Sequence, residues 1–377
     1  VTHITTQGFL DEVLTTMISK GASDLYITVD CPIIYRVSDK LVNHSDRIVN
    51  NDDIDQMIAQ LLTKLQIESF DKDLEYNISI EWANKTRFRL NFFHQQRNRG
   101  IVIRSIKTII PTISELGLPS IYADLALKKR GLILVSSPSG SGKSTSVAAM
   151  LNHRNINGSG HIITIEDPIE FVHSHINCIF TQREIGTDTL SYEIALKNCL
   201  RQKADVVFIG EIRDRETMEY TINFAETGHL CIATLHSNNT NQSMLRMLSF
   251  FPEESHRSVA VALSQNIEAI ISQKIVPNLS HSRSLVTEVM LNVGLIKSLI
   301  ADIKIDEIRD MMEKNEGMGS MTFDSSLYNM VKGGIISEEV AVSNAESPNQ
   351  LKFRFVQNNQ NSPLNKALNN SSNKNSF

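Results

Sequence analysis

Cysteine is scarce in this 377-residue chain, and its four cysteines, Cys31, Cys178, Cys199 and Cys231, are scattered. No CxxC pair occurs, so zinc-ribbon and dithiol redox chemistry fail on spacing. Each cysteine lies in or beside an apolar run, the setting of buried free thiols in a reducing compartment. Proline is low at 9 residues and charged residues reach 21%, which excludes collagen-like and disordered compositions. Excess positive charge is missing too: 37 Lys+Arg stand against 42 Asp+Glu, a net charge of -5. Nucleic-acid binding would need a local basic patch, and no nucleic-acid partner is expected. No run of about 20 apolar residues exists to span a bilayer. The opening stretch VTHITTQGFLDEVL reads as polar and amphipathic rather than as a signal peptide. His173 and His175 alternate as two metal ligands on a strand could, but no third ligand stands nearby.

Residues 1–110 read as a mixed α/β domain. Leu10, Leu14, Met17 and Ile18 recur at helical spacing, with Gly21 as a stop. Gln56 to Ile67 reads as a second helix. Strand-rich runs lie at Leu25–Ile34, Leu74–Trp82, Thr86–Phe93 and Gly100–Ile106. Arg87, Arg89, Arg97, Arg99 and Arg104 crowd residues 86–106. Residues 111–119 read as a linker. From Gly131 four unbroken apolar runs, Leu132–Val135, Ile162–Ile165, Val206–Ile209 and Leu230–Ala233, alternate with helical patterns. That is an α/β sheet covered on both sides, with ligands expected at the carboxyl ends of its strands. Residues 255–345 read as helical, completing a domain over 120–355. Residues 356–377, rich in Asn and Ser, read as a disordered polar tail.

The most specific signal is SSPSGSGKST, Ser136–Thr145, directly after the strand LILV and before a helix. That strand–loop–helix context is what a Walker A loop requires. Gly140 and Gly142 let backbone N–H groups turn toward phosphate oxygens, Lys143 supplies a point charge, and the Ser144 hydroxyl suits Mg²⁺. Ser137 stands where the usual pattern has glycine. A left-handed backbone there would cost about 1 kcal/mol. Two strands end in acids: Ile162–Glu170 in Glu166 and Asp167, and Val206–Asp214 in Glu211, Arg213 and Asp214. Such ends can hold a metal or polarise water. In TGHLCIATLH, His229 and His236 flank a buried strand, where a neutral imidazole can sense a γ-phosphate.

In this order the blocks resemble the secretion ATPase superfamily, the ring motors of type IV pili and type II secretion. Ser137–Thr145 matches its Walker A loop, Ile163–Phe171 its Asp box, Val206–Asp214 its Walker B strand and Thr227–His236 its His box. Extension and type II secretion members usually carry a four-cysteine zinc module after the His box, and no cysteine follows Cys231. The stretches GEIRDRETMEY, FAETGHLCIATLHSNN, FFPEE, GMGSMTFDSSLY and AESPNQLKFRF are similar to the PilU side of the PilT/PilU pilus retraction family. The AIRNLxF-like ending of PilT-type members is missing at Gln350–Phe355.

The resemblance implies an α/β fold: a RecA-like P-loop ATPase domain with a smaller N-terminal PAS-like domain. It implies a cytoplasmic homo-hexamer, peripheral at the inner membrane, that hydrolyses ATP with Mg²⁺ to promote pilus retraction. A PilT-like paralogue and an inner-membrane platform protein would be its partners. ATP would lie between the two domains, which hydrolysis would swing about the 111–119 linker. Ser137, Pro138, Ser139, Gly140, Ser141, Gly142, Lys143, Ser144 and Thr145 would cradle the phosphates. Ser144 and Glu211 would hold Mg²⁺, Glu166 would activate water, and His229 and His236 would form the His-box pair. Arg89 and Arg104, with Arg97 as a further candidate, would reach the phosphates. Three alternatives stay open: an adaptor ring for an active paralogue, an extension or secretion ATPase, and a DNA-translocating motor on the same fold.

Overall fold

The computed structural model describes residues 6–38, 40–82, 86–106 and 109–360. The chain divides into two compact units, Val1–Ile109 with Ile169–Val172, and Ile110–Pro168 with His173–Phe377.

In the first unit, helices α1 (Thr6–Ser19), α2 (Asn51–Leu61) and α3 (Lys64–Asp73) share one core with a six-stranded sheet. Its strands are β1 (Asp24–Ile27), β2 (Pro32–Val37), β3 (Lys40–Ile48), β4 (Glu75–Trp82), β5 (Thr86–Gln95) and β6 (Asn98–Ile106). They run in the order β3-β2-β1-β6-β5-β4, and every pairing is antiparallel. Leu10, Leu14 and Met17 are buried as the helical spacing predicts, while Ile18 is exposed. On β5 the two-residue period of a strand sends Phe88, Leu90 and Phe92 into the core and turns Arg87 and Arg89 outward. The single helix expected over 56–67 is two. Leu62 closes α2, and a capping box between Thr63 and Gln66 opens α3.

The second unit is built on a seven-stranded sheet. Its strands are β7 (Gly131–Ser136), β8 (Gly160–Glu166), β9 (Cys178–Glu184), β10 (Val206–Ile209), β11 (Leu230–Leu235), β12 (Ile267–Pro277) and β13 (Arg283–Leu291). The order is β13-β12-β7-β11-β10-β8-β9, parallel throughout except for the β12–β13 pair. Along β7, Leu132 and Leu134 enter one core while Ile133 and Val135 enter the other. Helices α4 (Ile121–Ala126) and α5 (Lys143–Asn157) pack on the second face. On the first lie α6 (Tyr192–Cys199), α7 (Arg215–Glu226), α8 (Thr240–Ser249), α9 (His256–Asn266), α10 (Ile296–Ala301) and α11 (Ile308–Lys314). Helices α12 (Phe323–Lys332), α13 (Glu338–Asn344) and α14 (Pro348–Gln360) form a further cluster with Val276 and Val286 of the hairpin.

Several expectations need correction. The region expected to be helical contains the β12–β13 hairpin. Its inward positions include Ser272, Gln273 and Glu288, all buried, so no unbroken apolar run announces it. The segment at 111–119 is a folded turn: Ile113 and Leu118 sit in the core of the second unit, and Thr112 and Glu115 cap each other. Helix α14 runs past residue 356 to Gln360, and 361–377 lie outside the described residues. Cys31 is only half-buried, whereas Cys178, Cys199 and Cys231 are buried free thiols. No helix among the described residues is long and apolar enough to cross a membrane.

Candidate nucleotide site

Parallel strands that share a register end together, so β7, β8, β10 and β11 deliver their following residues to one edge of the sheet. After β7 comes the loop 137–142. Gly140 and Gly142 adopt left-handed backbone, φ 78° and 84°. A Cβ on Gly140 would meet nothing within 4 Å, so conformation rather than space requires glycine there. Ser137 is not among the left-handed residues, so the cost expected for a side chain there does not arise. Instead its hydroxyl accepts from Ser141 Oγ at 2.6 Å, tying the loop across itself. The first intrahelical bond of α5 runs from Ser146 N to Gly142 O at 3.0 Å. The N–H groups of Lys143, Ser144 and Thr145 therefore precede the helical ladder, at the positive end of the helix dipole. Ser144 is half-buried on this first turn.

Lys143 is buried, and its amine donates to Ser137 O and, at 3.3 Å, to Pro138 O. It also lies 3.4 Å from Nδ1 of His236, at the end of β11. Nε2 of His236 stands 3.3 Å from Glu211 Oε1. The Nε2–H tautomer satisfies both contacts: Nδ1 accepts from the lysine and Nε2 donates to the carboxylate. Glu211 Oε2 accepts from Arg213 Nε at 2.9 Å, and Arg213 Nη1 donates to Asp167 at 3.0 Å. One polar chain thus joins the loop after β7, the ends of β11 and β10, and the residue after β8.

Glu166, the last residue of β8, is buried. Its Oε1 accepts from Thr164 Oγ1 at 2.7 Å and from Gln182 Nε2 at 3.4 Å. A hydrogen bond to a charged group contributes about 1.5–3 kcal/mol, enough to hold a buried carboxylate in place. Tyr192 stands at the same edge, its hydroxyl 3.0 Å from where a Cβ on Gly210 would sit. Burial pushes its phenol up, helped by the negative charge of Asp167, while Arg213 opposes the rise. Asp214 is spent elsewhere, capping α7 through Thr217 N at 2.8 Å.

His229 is not brought to this edge. It precedes β11 while His236 follows it, and six strand residues separate the two by roughly 20 Å. Its ring bonds Thr227 Oγ1 at 3.0 Å and packs edge-on against Phe224. In the first unit, Arg89 and Arg104 are register partners on β5 and β6, on the face away from its core. Arg104 Nε donates to Asp24 at 2.8 Å and is otherwise largely exposed. Arg97 is exposed in the turn between those strands. His173 and His175 form no metal pair. His173 is buried face to face with Phe180, while His175 Nδ1 accepts from Phe180 N at 3.1 Å. Among the described residues no group of three or more His, Cys, Asp or Glu could hold a metal. Gln182 escaped sequence reasoning because edge strand β9, with Ile179 turned outward, carries no continuous apolar run.

A family model described as type II/IV secretion system protein matches residues 3–315. The chain belongs to that family. Among this family's members, the type IV pilus ATPase PilU of Pseudomonas aeruginosa is 43% identical to the chain over 91% of it and 90% of its own length. The type IV pilus retraction ATPase PilT of the same organism is 34% identical, covering 90% of this chain and 98% of its own. A crystal structure of the pilus retraction motor PilT with bound ADP superposes with a TM-score of 0.84 at 35% identity, over 90% of this chain and 98% of that one. The fold is accordingly that of this secretion family: an N-terminal α/β domain followed by a RecA-like ATPase domain.

Proposed function

We propose that this protein hydrolyses ATP and is a motor subunit for type IV pilus retraction. The observation that carries the reading is the continuous polar chain from Lys143 through His236 to Glu211 at the edge where Glu166 also ends its strand. The likeness to PilU and PilT supplies the biological setting.

The chemistry follows from the donors present. The left-handed glycines and the first turn of α5 direct N–H groups at phosphate oxygens, and Lys143 exchanges its loop carbonyls for them. The Ser144 hydroxyl and Glu211 carboxylate fit Mg²⁺, which takes one or two protein oxygens and completes its shell with water and phosphate. Bound there, the ion would offset charge on the phosphate oxygens. Glu166 takes the proton of the attacking water, and His236 responds to the terminal phosphate through its two ring contacts. Arg89 and Arg104 present guanidinium groups suited to phosphate oxygens on the face of their sheet away from its core. The active assembly is a homo-hexamer at the cytoplasmic face of the inner membrane, working with a PilT-like paralogue on a platform protein.

Purified protein should hydrolyse ATP, and Lys143→Ala should abolish both turnover and complementation of twitching in a deletion strain. Full turnover by the Lys143→Ala protein would overturn the reading.

A further inference from the structure

The carboxylate of Glu166 is held by two side chains of its own sheet. Thr164 lies two residues earlier on β8, hence on the same face, and its hydroxyl donates to Oε1 at 2.7 Å. A carboxylate only accepts, so the direction of this bond is fixed. Gln182 is the register partner of Thr164 on parallel strand β9. Its Nε2 approaches the same oxygen at 3.4 Å. The amide cannot flip without loss, because its Oε1 accepts the backbone N–H of His173 at 2.8 Å. His173 is itself locked by stacking on Phe180, with ring centroids 4.4 Å apart. A line of fixed groups therefore runs from the buried histidine through Gln182 to Glu166, and Thr164 closes it from the other side.

We propose that Thr164 and Gln182 are positioning residues for hydrolysis, holding the Glu166 carboxylate in the orientation from which it takes a proton from water. This rests on the reading of Glu166 as the base. Both donors favour the ionised carboxylate and anchor its Oε1. A base misplaced by about 1 Å can lose 100-fold in rate.

The test is the pH dependence of steady-state ATP turnover by full-length protein, with Thr164→Val, Thr164→Ser, Gln182→Ala and Glu166→Gln beside the wild type. Affinity for a fluorescent ADP analogue reports an intact site. Thr164→Val should lower kcat roughly 10- to 100-fold with KM within about threefold, and should move the acid limb of the profile to higher pH. Thr164→Ser keeps the hydroxyl and should restore both kcat, to within about threefold, and the acid limb. Gln182→Ala should cost about 3- to 10-fold, its bond being longer. Equal losses in Thr164→Val and Thr164→Ser would assign the effect to packing and overturn the proposal. So would a wild-type kcat and profile in Thr164→Val alongside an inactive Glu166→Gln. Undiminished turnover by Glu166→Gln would instead remove the base assignment on which the proposal stands.

Discussion

Replacing His173 with phenylalanine should make the protein more resistant to acid. The His173 ring lies parallel to that of Phe180 within 1°, and its buried Nδ1 has no hydrogen-bond partner among the described residues. Burial pushes the imidazole down from 6.5 to about 4. The folded state therefore keeps the ring neutral, while the unfolded chain binds a proton below pH 6.5. For a base lowered in this way, the folded state holds its full stability above pH 6.5 and loses it as pH falls toward 4. At pH 4.5 the loss reaches roughly 2.5 kcal/mol. Phenylalanine keeps the stacking, carries no charge and leaves in place the backbone N–H that Gln182 accepts. Thermal unfolding of both proteins from pH 7.5 to 4.5 is the assay. Any offset at pH 7.5 reflects packing; the gap should then grow in favour of His173→Phe by about 5 °C or more at pH 4.5. Parallel curves would refute the argument.

Two further outcomes follow from the same edge of the sheet and from the hairpin. A methyl group on Gly210 would meet Ile165 O at 3.0 Å and Glu166 Cα at 3.1 Å. Gly210→Ala should therefore lower Tm by a few degrees and kcat by about 10-fold or more, with nucleotide affinity retained; unchanged kcat would mean that the end of β8 tolerates displacement. Glu288, buried and facing Glu346, holds its proton above the usual carboxylate range, burial being the larger cause. An acid raised in this way is fully stabilised below that range and loses stability as pH rises. Glu288→Gln keeps an acceptor for Thr240 N, so its Tm advantage should widen between pH 4 and 7.5, and a constant difference would count against the argument.

The edge that carries the candidate site was legible because its strands are buried on both faces. The runs at Leu132–Val135, Ile162–Ile165, Val206–Ile209 and Leu230–Ala233 have no solvent side and so stand out in sequence. The phosphate loop was legible because few residue types satisfy left-handed backbone and phosphate charge together. Strands with polar partners inside were not. In β12 and β13, Gln273 bonds Tyr122 and Ser146, and Glu288 accepts from Thr240, pairings that only tertiary structure supplies. The turn at 111–119 read as a linker from its turn residues and apolar anchors, and only tertiary packing sends Ile113 and Leu118 into a core. His229 and His236 are held apart for a related reason. The residues flanking a six-residue strand are close in sequence, yet they emerge at opposite edges of the sheet.

The most direct measurement is single-turnover ATP hydrolysis by wild type and Glu166→Gln under saturating protein, with nucleotide binding measured in parallel. Glutamine preserves the size of the side chain and an acceptor for Thr164, but it cannot take a proton. The account predicts equal binding and a rate at least about 100-fold lower in the variant. A variant that binds and cleaves ATP at the wild-type rate would contradict it.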